Sequence, residues 1–302
     1  MYCMPVKDLK LLNHGDILNY EEILKVLQAA AEIGIEKVRL TGGEPLVRRH
    51  FMHLAKSVCQ VPGFKDVSIT TNGVHLKEKA QELFDAGVHR INVSLDTLNS
   101  VKYAKIAGRD SFRDAWEGLQ EAEAVGFSPI KVNVVAIRGI NDDELLEFAQ
   151  LSVRKPYHVR FIEYMPIGHD SRWKPEAYIA SDEIKSRLET LGPLRKVLRS
   201  SLDGPAKRYR FESARGEIGF ISGLSHHFCP ACNRLRLTAD GKLRPCLFAD
   251  DELDIKTPLR NGCGREDLKR LFQEAIVRKP RQHPAKIRGK GAGRRPMSAI
   301  GG

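Results

Sequence analysis

No apolar run in this 302-residue chain approaches the roughly 18 residues that a membrane-spanning helix needs, and no secretory leader opens it. Aromatic side chains make up only 7% of the residues and form no stacking motif, so nucleic acid is a poor match for the net charge of +11. Part of that charge lies in a basic tail after Lys279, and the remainder suits an anionic nucleotide. Cysteine is sparse, six residues with three of them bunched near the carboxyl end. That usage fits metal ligation in a reducing, cytoplasmic compartment better than a disulfide framework. At 42% hydrophobic and 29% charged, the composition is that of a soluble globular protein, long enough for one large α/β domain and a smaller one.

The bunched cysteines read C-x2-C-x13-C at Cys229, Cys232 and Cys246. Between them an alternating run, Arg234-Leu235-Arg236-Leu237-Thr238, meets an Asp240-Gly241 turn and a return run, Lys242-Leu243-Arg244. This pattern predicts a hairpin that folds Cys246 back toward Cys229 and Cys232. Converging thiolates hold zinc or an iron–sulfur cluster. Zinc would take His226 or His227 as its fourth ligand. A cubane cluster on three cysteines would keep one iron open beside Arg234 and Arg236, two fork donors suited to a polyphosphate.

Upstream, Asn19 and Glu22 predict a capping box for a helix over 20–33 closed by Gly34, with Ile23, Leu24, Leu27, Ala30 and Ala31 on one face. Strands are expected over 37–40, 67–70, 90–95, 130–137 and 158–163, alternating with helices over 50–60, 76–86, 111–125 and 142–153. That order is a parallel sheet with right-handed crossovers. The strands end in polar or glycine-rich groups (Thr41-Gly42-Gly43, Thr70-Thr71-Asn72, Ser94 with Asp96, Tyr164-Met165), which a parallel barrel gathers on one rim. Beyond Pro166 the spacing predicts a loop over 170–177, a short helix over 182–190, and antiparallel strands Arg208–Phe211 and Ile218–Ile221 that lead into the hairpin. Pro258–Gly264 is read as a loop carrying Cys263, Glu266–Arg278 as a helix, and 279–302 as a flexible basic tail.

Tyr2-Cys3-Met4-Pro5, Thr41-Gly42-Gly43-Glu44-Pro45, Thr70-Thr71-Asn72-Gly73 and Asn92-Val93-Ser94-Leu95-Asp96 resemble the radical S-adenosylmethionine (SAM) enzymes. With Lys131-Val132-Asn133, the cysteine hairpin and the terminal Gly301-Gly302, the resemblance narrows to the GTP 3′,8-cyclase family of molybdenum cofactor biosynthesis and covers essentially the whole chain. It implies an α/β fold, an incomplete (βα)6 TIM-like barrel with its first strand missing here and a C-terminal antiparallel extension. The implied division is a radical SAM partial barrel over 1–205 and an iron–sulfur and GTP-binding region over 206–302. It also implies two [4Fe–4S] clusters. One is held by Cys3 as the last of three ligands and cleaves SAM; the other is held by Cys229, Cys232 and Cys246. Tyr2, Gly43, Ser94 and Met165 would line the SAM pocket, and Arg39, Thr70, Lys131, Arg234, Leu235 and Arg236 would contact GTP. The family implies an external electron donor, a homodimer and delivery of the product to cyclic pyranopterin monophosphate synthase. A terminal segment reaching into the cavity is implied as well. Cys59 and Cys263 match no motif and are expected as a packed helix thiol and an incidental loop thiol.

The chain departs from the family pattern at its start, where the first two cysteines of C-x3-C-x2-C do not occur. One thiolate does not hold a cubane, so the expectation is that this polypeptide alone is inactive as a cyclase. The alternative is a non-catalytic zinc or iron–sulfur protein that binds nucleotides.

Overall fold

The computed structural model describes residues 12–168, 173–198, 203–283, 285, 293 and 295–301. Helix α1 (Tyr20–Glu32) starts at the expected capping box: Glu22 N donates to Asn19 Oδ1 at 2.7 Å and Asn19 N to Glu22 Oε2 at 2.8 Å. Then come β1 (Lys37–Leu40), α2 (Phe51–Cys59), β2 (Asp66–Thr71), α3 (Leu76–Asp85), β3 (Arg90–Ser94), α4 (Ser100–Ala107), α5 (Phe112–Val125), β4 (Ile130–Ala136), α6 (Leu145–Arg154) and β5 (Tyr157–Glu163). The second half holds α7 (Ser181–Leu188), β6 (Arg195–Lys196), β7 (Lys207–Arg210), β8 (Glu217–Ile221), β9 (Arg236–Leu237), β10 (Lys242–Arg244), β11 (Leu253–Asp254), α8 (Lys256–Arg260), α9 (Arg265–Val277) and α10 (Met297–Ile300).

The main sheet has the order β1-β2-β3-β4-β5-β8-β7-β6. Its first six strands in that order run parallel, as a partial TIM-like barrel requires. Strands β7 and β8 pair antiparallel as expected, and β8 also joins β5 in parallel. Gly216 permits this: a Cβ there would lie 2.0 Å from the Tyr157 carbonyl oxygen, so only glycine lets the chain turn in beside β5. One expectation needs correction: the short helix α8 takes in Pro258–Arg260, the start of the stretch read as loop, ahead of Cys263. Helix α4 has no counterpart among the expected elements; Asn99 caps it by accepting from Lys102 N at 3.0 Å.

Strand alternation sends Ile69, Ile91, Val93, Val132, Phe161 and Phe220 outward into the main core, against the crossover helices. A separate core forms where Val26, Ala29 and Ala30 of α1 meet Leu268, Phe272 and Ala275 of α9 and Leu243 of β10. The small sheet β11-β10-β9 rests on it. Arg260 links the two chain halves there, through Glu22 Oε1 at 2.7 Å and the Ile17 carbonyl at 2.9 Å.

Gly216→Ala is expected to destabilise the protein by about 1–3 kcal/mol through overpacking against backbone, measured as a lower denaturant midpoint. An unchanged midpoint would refute the close approach.

Candidate functional site

The inward face of the same strands is polar. Register aligns Thr70 with Asn92, Asn92 with Lys131, Lys131 with His158 and His158 with Glu217. The next row runs Ser94, Asn133, Arg160 and Gly219, while Arg39 lies opposite Ser68. A row of this kind does not close by apolar packing. Instead it leaves polar atoms buried with no hydrogen-bond partner among the described residues: Thr70 Oγ1, Asn133 Oδ1 and, from the hairpin opposite, Arg236 Nε.

Cations dominate the interior. Arg39 keeps accessible surface, but its guanidinium is ringed by protein, beside Arg234, Asp66 and Arg90, and desolvation pulls its pKa down. That surface therefore faces the barrel interior rather than bulk water. Burial also brings Arg236 to about 10, with Arg234 and Arg39 repelling it further, and Arg160 to about 9, with Arg39 and Arg90 adding to the effect. Lys131 falls to about 6 through burial and then the charges of Arg160, Arg90 and Arg39. Asp66, the carboxylate acting on Lys131, is held by Arg90 at 2.6 Å. Arg160 lies over Gly219, where a Cβ would come 3.1 Å from its Cγ. The cavity beneath is lined by Arg90, Lys131, His158, Arg160, Arg208 and Glu217.

The hairpin brings its own cations and thiols to this space. Arg236 feels both Cys232 and Cys246, so the return arm does carry the third cysteine back. Lys279 spans the arms, donating to the carbonyl oxygens of Arg234 and Pro245 at 2.7 Å each. Burial alone would raise the Cys232 thiol; the Arg234 backbone amide and guanidinium, with Lys279, outweigh it, and the pKa falls. The thiols are not disulfide-bonded. A tetrahedral zinc about 2.3 Å from each sulfur would need sulfurs about 3.8 Å apart, and Cys229, Cys232 and Cys246 are not all within 4.8 Å of one another. His226, one of the two expected fourth ligands for zinc, is instead engaged by Asp182 at 2.6 Å.

At the strand ends, a Cβ at Gly42 or Gly43 would meet no atom within 4 Å, so the backbone there is open to a ligand. Glu44 sets the loop: its carboxylate accepts from Thr71 Oγ1 and Asn72 N at 2.7 Å each and from Leu46 N at 3.0 Å. Ser94 closes β3 with its side chain exposed. Met165, just past β5, packs with Cys246 against Leu224, Phe248 and Ala285, and a Cβ at Gly223 would lie within 2.3 Å of its sulfur. The tail returns to this rim. Arg295 pairs with both oxygens of Asp240 at 2.9 Å and with Glu252 at 2.8 Å, Pro296 packs on Gly168, and a Cβ at Gly301 would lie 3.0 Å from Thr41 Cγ2. Residues 295–301 are thus docked rather than following the expected flexible tail. Tyr2, Cys3 and Gly302 lie outside the described residues.

Residues 1–152 match the Radical SAM superfamily, and residues 157–285 match the Molybdenum Cofactor Synthesis C family. The chain is 48% identical over its whole length to the GTP 3′,8-cyclase of Pelotomaculum thermopropionicum and 46% identical to that of Moorella thermoacetica, covering 93% and 92% of those proteins. The chain belongs to the GTP 3′,8-cyclase family of radical SAM enzymes. In fold it is also similar to Streptococcus suis SuiB solved with S-adenosylmethionine, at TM-score 0.57 and 16% identity over 84% of this chain and 59% of that one.

Sequence reasoning about this family member missed Arg160, although the expected strand over 158–163 puts it on the same face as His158. It also missed Glu163, fully buried, whose carboxylate accepts from Ser181 N at 3.0 Å, Leu224 N at 2.8 Å and Ser225 N at 3.0 Å. That set fixes the loop entering the cysteine knuckle, and no local pattern announces it.

Lys131 is mostly neutral in the free protein above about pH 6, and a bound polyphosphate favours its charged form. Binding of inorganic triphosphate at pH 8 is therefore expected to take up close to one proton, and affinity to fall as pH rises above 6. Calorimetry in two buffers of different ionisation enthalpy reads the uptake; its persistence in Lys131→Met would assign it elsewhere.

Asp240→Asn removes the charge that Arg295 grips and is expected to speed proteolytic trimming of residues 295–301 by several-fold. Trimming at the wild-type rate would show that the tail is held by other contacts.

Proposed function

We propose that this chain binds GTP in the cationic barrel interior for conversion to 3′,8-cyclo-7,8-dihydro-GTP, the opening step of molybdenum cofactor biosynthesis. The observation that carries the reading is the enclosure of Arg39, Lys131, Arg160 and Arg236 in one polar-walled space, where each is pushed below its ordinary pKa. A triphosphate relieves that repulsion and offers acceptors to the guanidinium forks.

In this reading Arg39, Lys131, Arg160, Arg234 and Arg236 hold the phosphates, Thr70 supplies a hydroxyl partner, and Leu235 packs against the nucleotide. Cys229, Cys232 and Cys246 would hold a second [4Fe–4S] cluster, which would supply Lewis-acidic iron for binding the nucleotide base. Gly43 offers open backbone to the SAM methionine group, Ser94 a hydroxyl, and Met165 a soft apolar contact, with Tyr2 completing the pocket. A cluster bound at Cys3 together with SAM supplies the radical that starts the rearrangement. The partial barrel over 1–205 then carries the SAM pocket and part of the GTP site, and the region over 206–302 brings the second cluster and the remaining GTP contacts. An external reductant, a homodimer and transfer of product to cyclic pyranopterin monophosphate synthase belong to the same reading.

Of the six cysteines, only Cys3 belongs to the first-cluster motif, and Cys59 and Cys263 stand away from the barrel interior, packed in the two cores. Reconstituted anaerobically with iron and sulfide, the protein is expected to bind GTP. Arg234→Ala and Arg236→Ala should each weaken GTP binding at least about 10-fold, as expected for a charge-assisted contact of about 1.5–3 kcal/mol, with iron content retained. Wild-type GTP affinity in both variants would remove the assignment.

A further inference from the structure

The knuckle holds a second set of ligand atoms beside the three-cysteine array. One ring nitrogen from each of His227 and His283 and the Cys229 sulfur all lie within 4.8 Å of one another. His283 is buried, its ring against Phe248 with centroids 4.2 Å apart, and its Nε2 lies 2.7 Å from the Gly223 carbonyl oxygen and 2.9 Å from His227 Nδ1. That nitrogen has a single proton for two acceptors, while His283 Nδ1 is buried without a partner. The Gly223 carbonyl and Phe248 hold the buried ring in one place beside His227 and Cys229, and a cation bound by the group would take the place of the proton between the two facing ring nitrogens. His227 is exposed, so an ion can enter from solvent and keep water in a fourth position.

We propose that His227, Cys229 and His283 form a mononuclear zinc site that competes with the iron–sulfur cluster for Cys229. Two imidazoles and one thiolate are a zinc donor set, whereas a cubane takes its ligands from thiolates. The two sets share one sulfur and need it in different places, so a chain that has taken zinc has lost a cluster ligand. Zinc binding stands independently of the function proposed above; the competition rests on the cluster assigned there.

The test uses the metal-free 302-residue protein, titrated with zinc against a chromophoric chelator, and the same variants reconstituted with iron and sulfide. The site predicts one zinc per chain, retained at wild-type affinity in Cys246→Ser, which removes a cluster ligand only. His227→Ala and His283→Gln should each weaken zinc at least about 10-fold, and exposed His227→Ala, which leaves the buried ring in place, should still assemble the cluster. Pre-loading wild type with zinc should block assembly, and pre-loading His227→Ala should not. Zinc lost in Cys246→Ser as fully as in Cys229→Ser would mean a three-cysteine zinc and overturn the proposal, as would wild-type zinc affinity in both histidine variants. Zinc bound as described with no cluster formed by metal-free wild type would overturn the competition and the cluster assignment together.

Discussion

Like charges enclosed in a low-dielectric space set the terms for this molecule. Two unit charges 4 Å apart repel by about 4 kcal/mol at the effective dielectric of a protein site, and the barrel interior gathers Arg39, Lys131, Arg160 and Arg236 within each other's influence. Nothing in folding rewards that arrangement. It persists because the outward half of every strand is committed to the main core, and because register then forces the inward half into alignment. The cations that are neutralised stand at the edges: Arg90 by Asp66 at 2.6 Å, and Arg208 by Glu217 at 2.7 Å and Asp203 at 2.6 Å. Those at the centre have no carboxylate of their own at this range among the described residues: the arginines stay charged and Lys131 gives up its proton above about pH 6, while the family name carries a substrate with several negative charges.

The second half of the site is positioned independently of the strands. The cysteine hairpin rests on the α1–α9 core, with Leu243 buried in it. It is aimed at the barrel by side-chain clamps: Lys279 across its two arms, and Glu163 gripping the loop that feeds the knuckle. Rim and hairpin also share a small apolar cluster through Met165 and Cys246.

Periodicity made most of the fold legible. The capping box at Asn19, the five strands β1 to β5 and the helices between them are local patterns, and the structure reproduces them within a few residues. What stayed hidden depends on partners far along the chain. Strand β8 looks like any short antiparallel strand until Gly216 brings it against Tyr157. Helix α4 is eight residues with one buried side chain, Tyr103, too short for a periodic face to show. In the site, charge and thiol spacing were readable because motifs carry them. Arg160 and Glu163 were not, since a lone arginine or glutamate in a strand gains meaning only from the side it faces.

The tail shows how far one hairpin governs the rest. Asp240 sits in the turn between β9 and β10 and accepts from Thr238 Oγ1 at 2.6 Å while Arg295 holds both its oxygens. Burial would raise the Asp240 pKa, yet Arg295 and Thr238 bring it below the ordinary carboxylate range, so the clamp stays charged at neutral pH and is lost only as acid approaches that lowered value. Glu252, the other anchor of Arg295, also pairs with the buried Arg244 of β10. The guanidiniums of Arg234 and Arg236, the sulfur of Cys246 and the segment ending at Gly301 therefore depend on the same few residues of backbone. A change in the hairpin reaches all three, because the docked segment, the thiol and the guanidiniums share its turn as their common support.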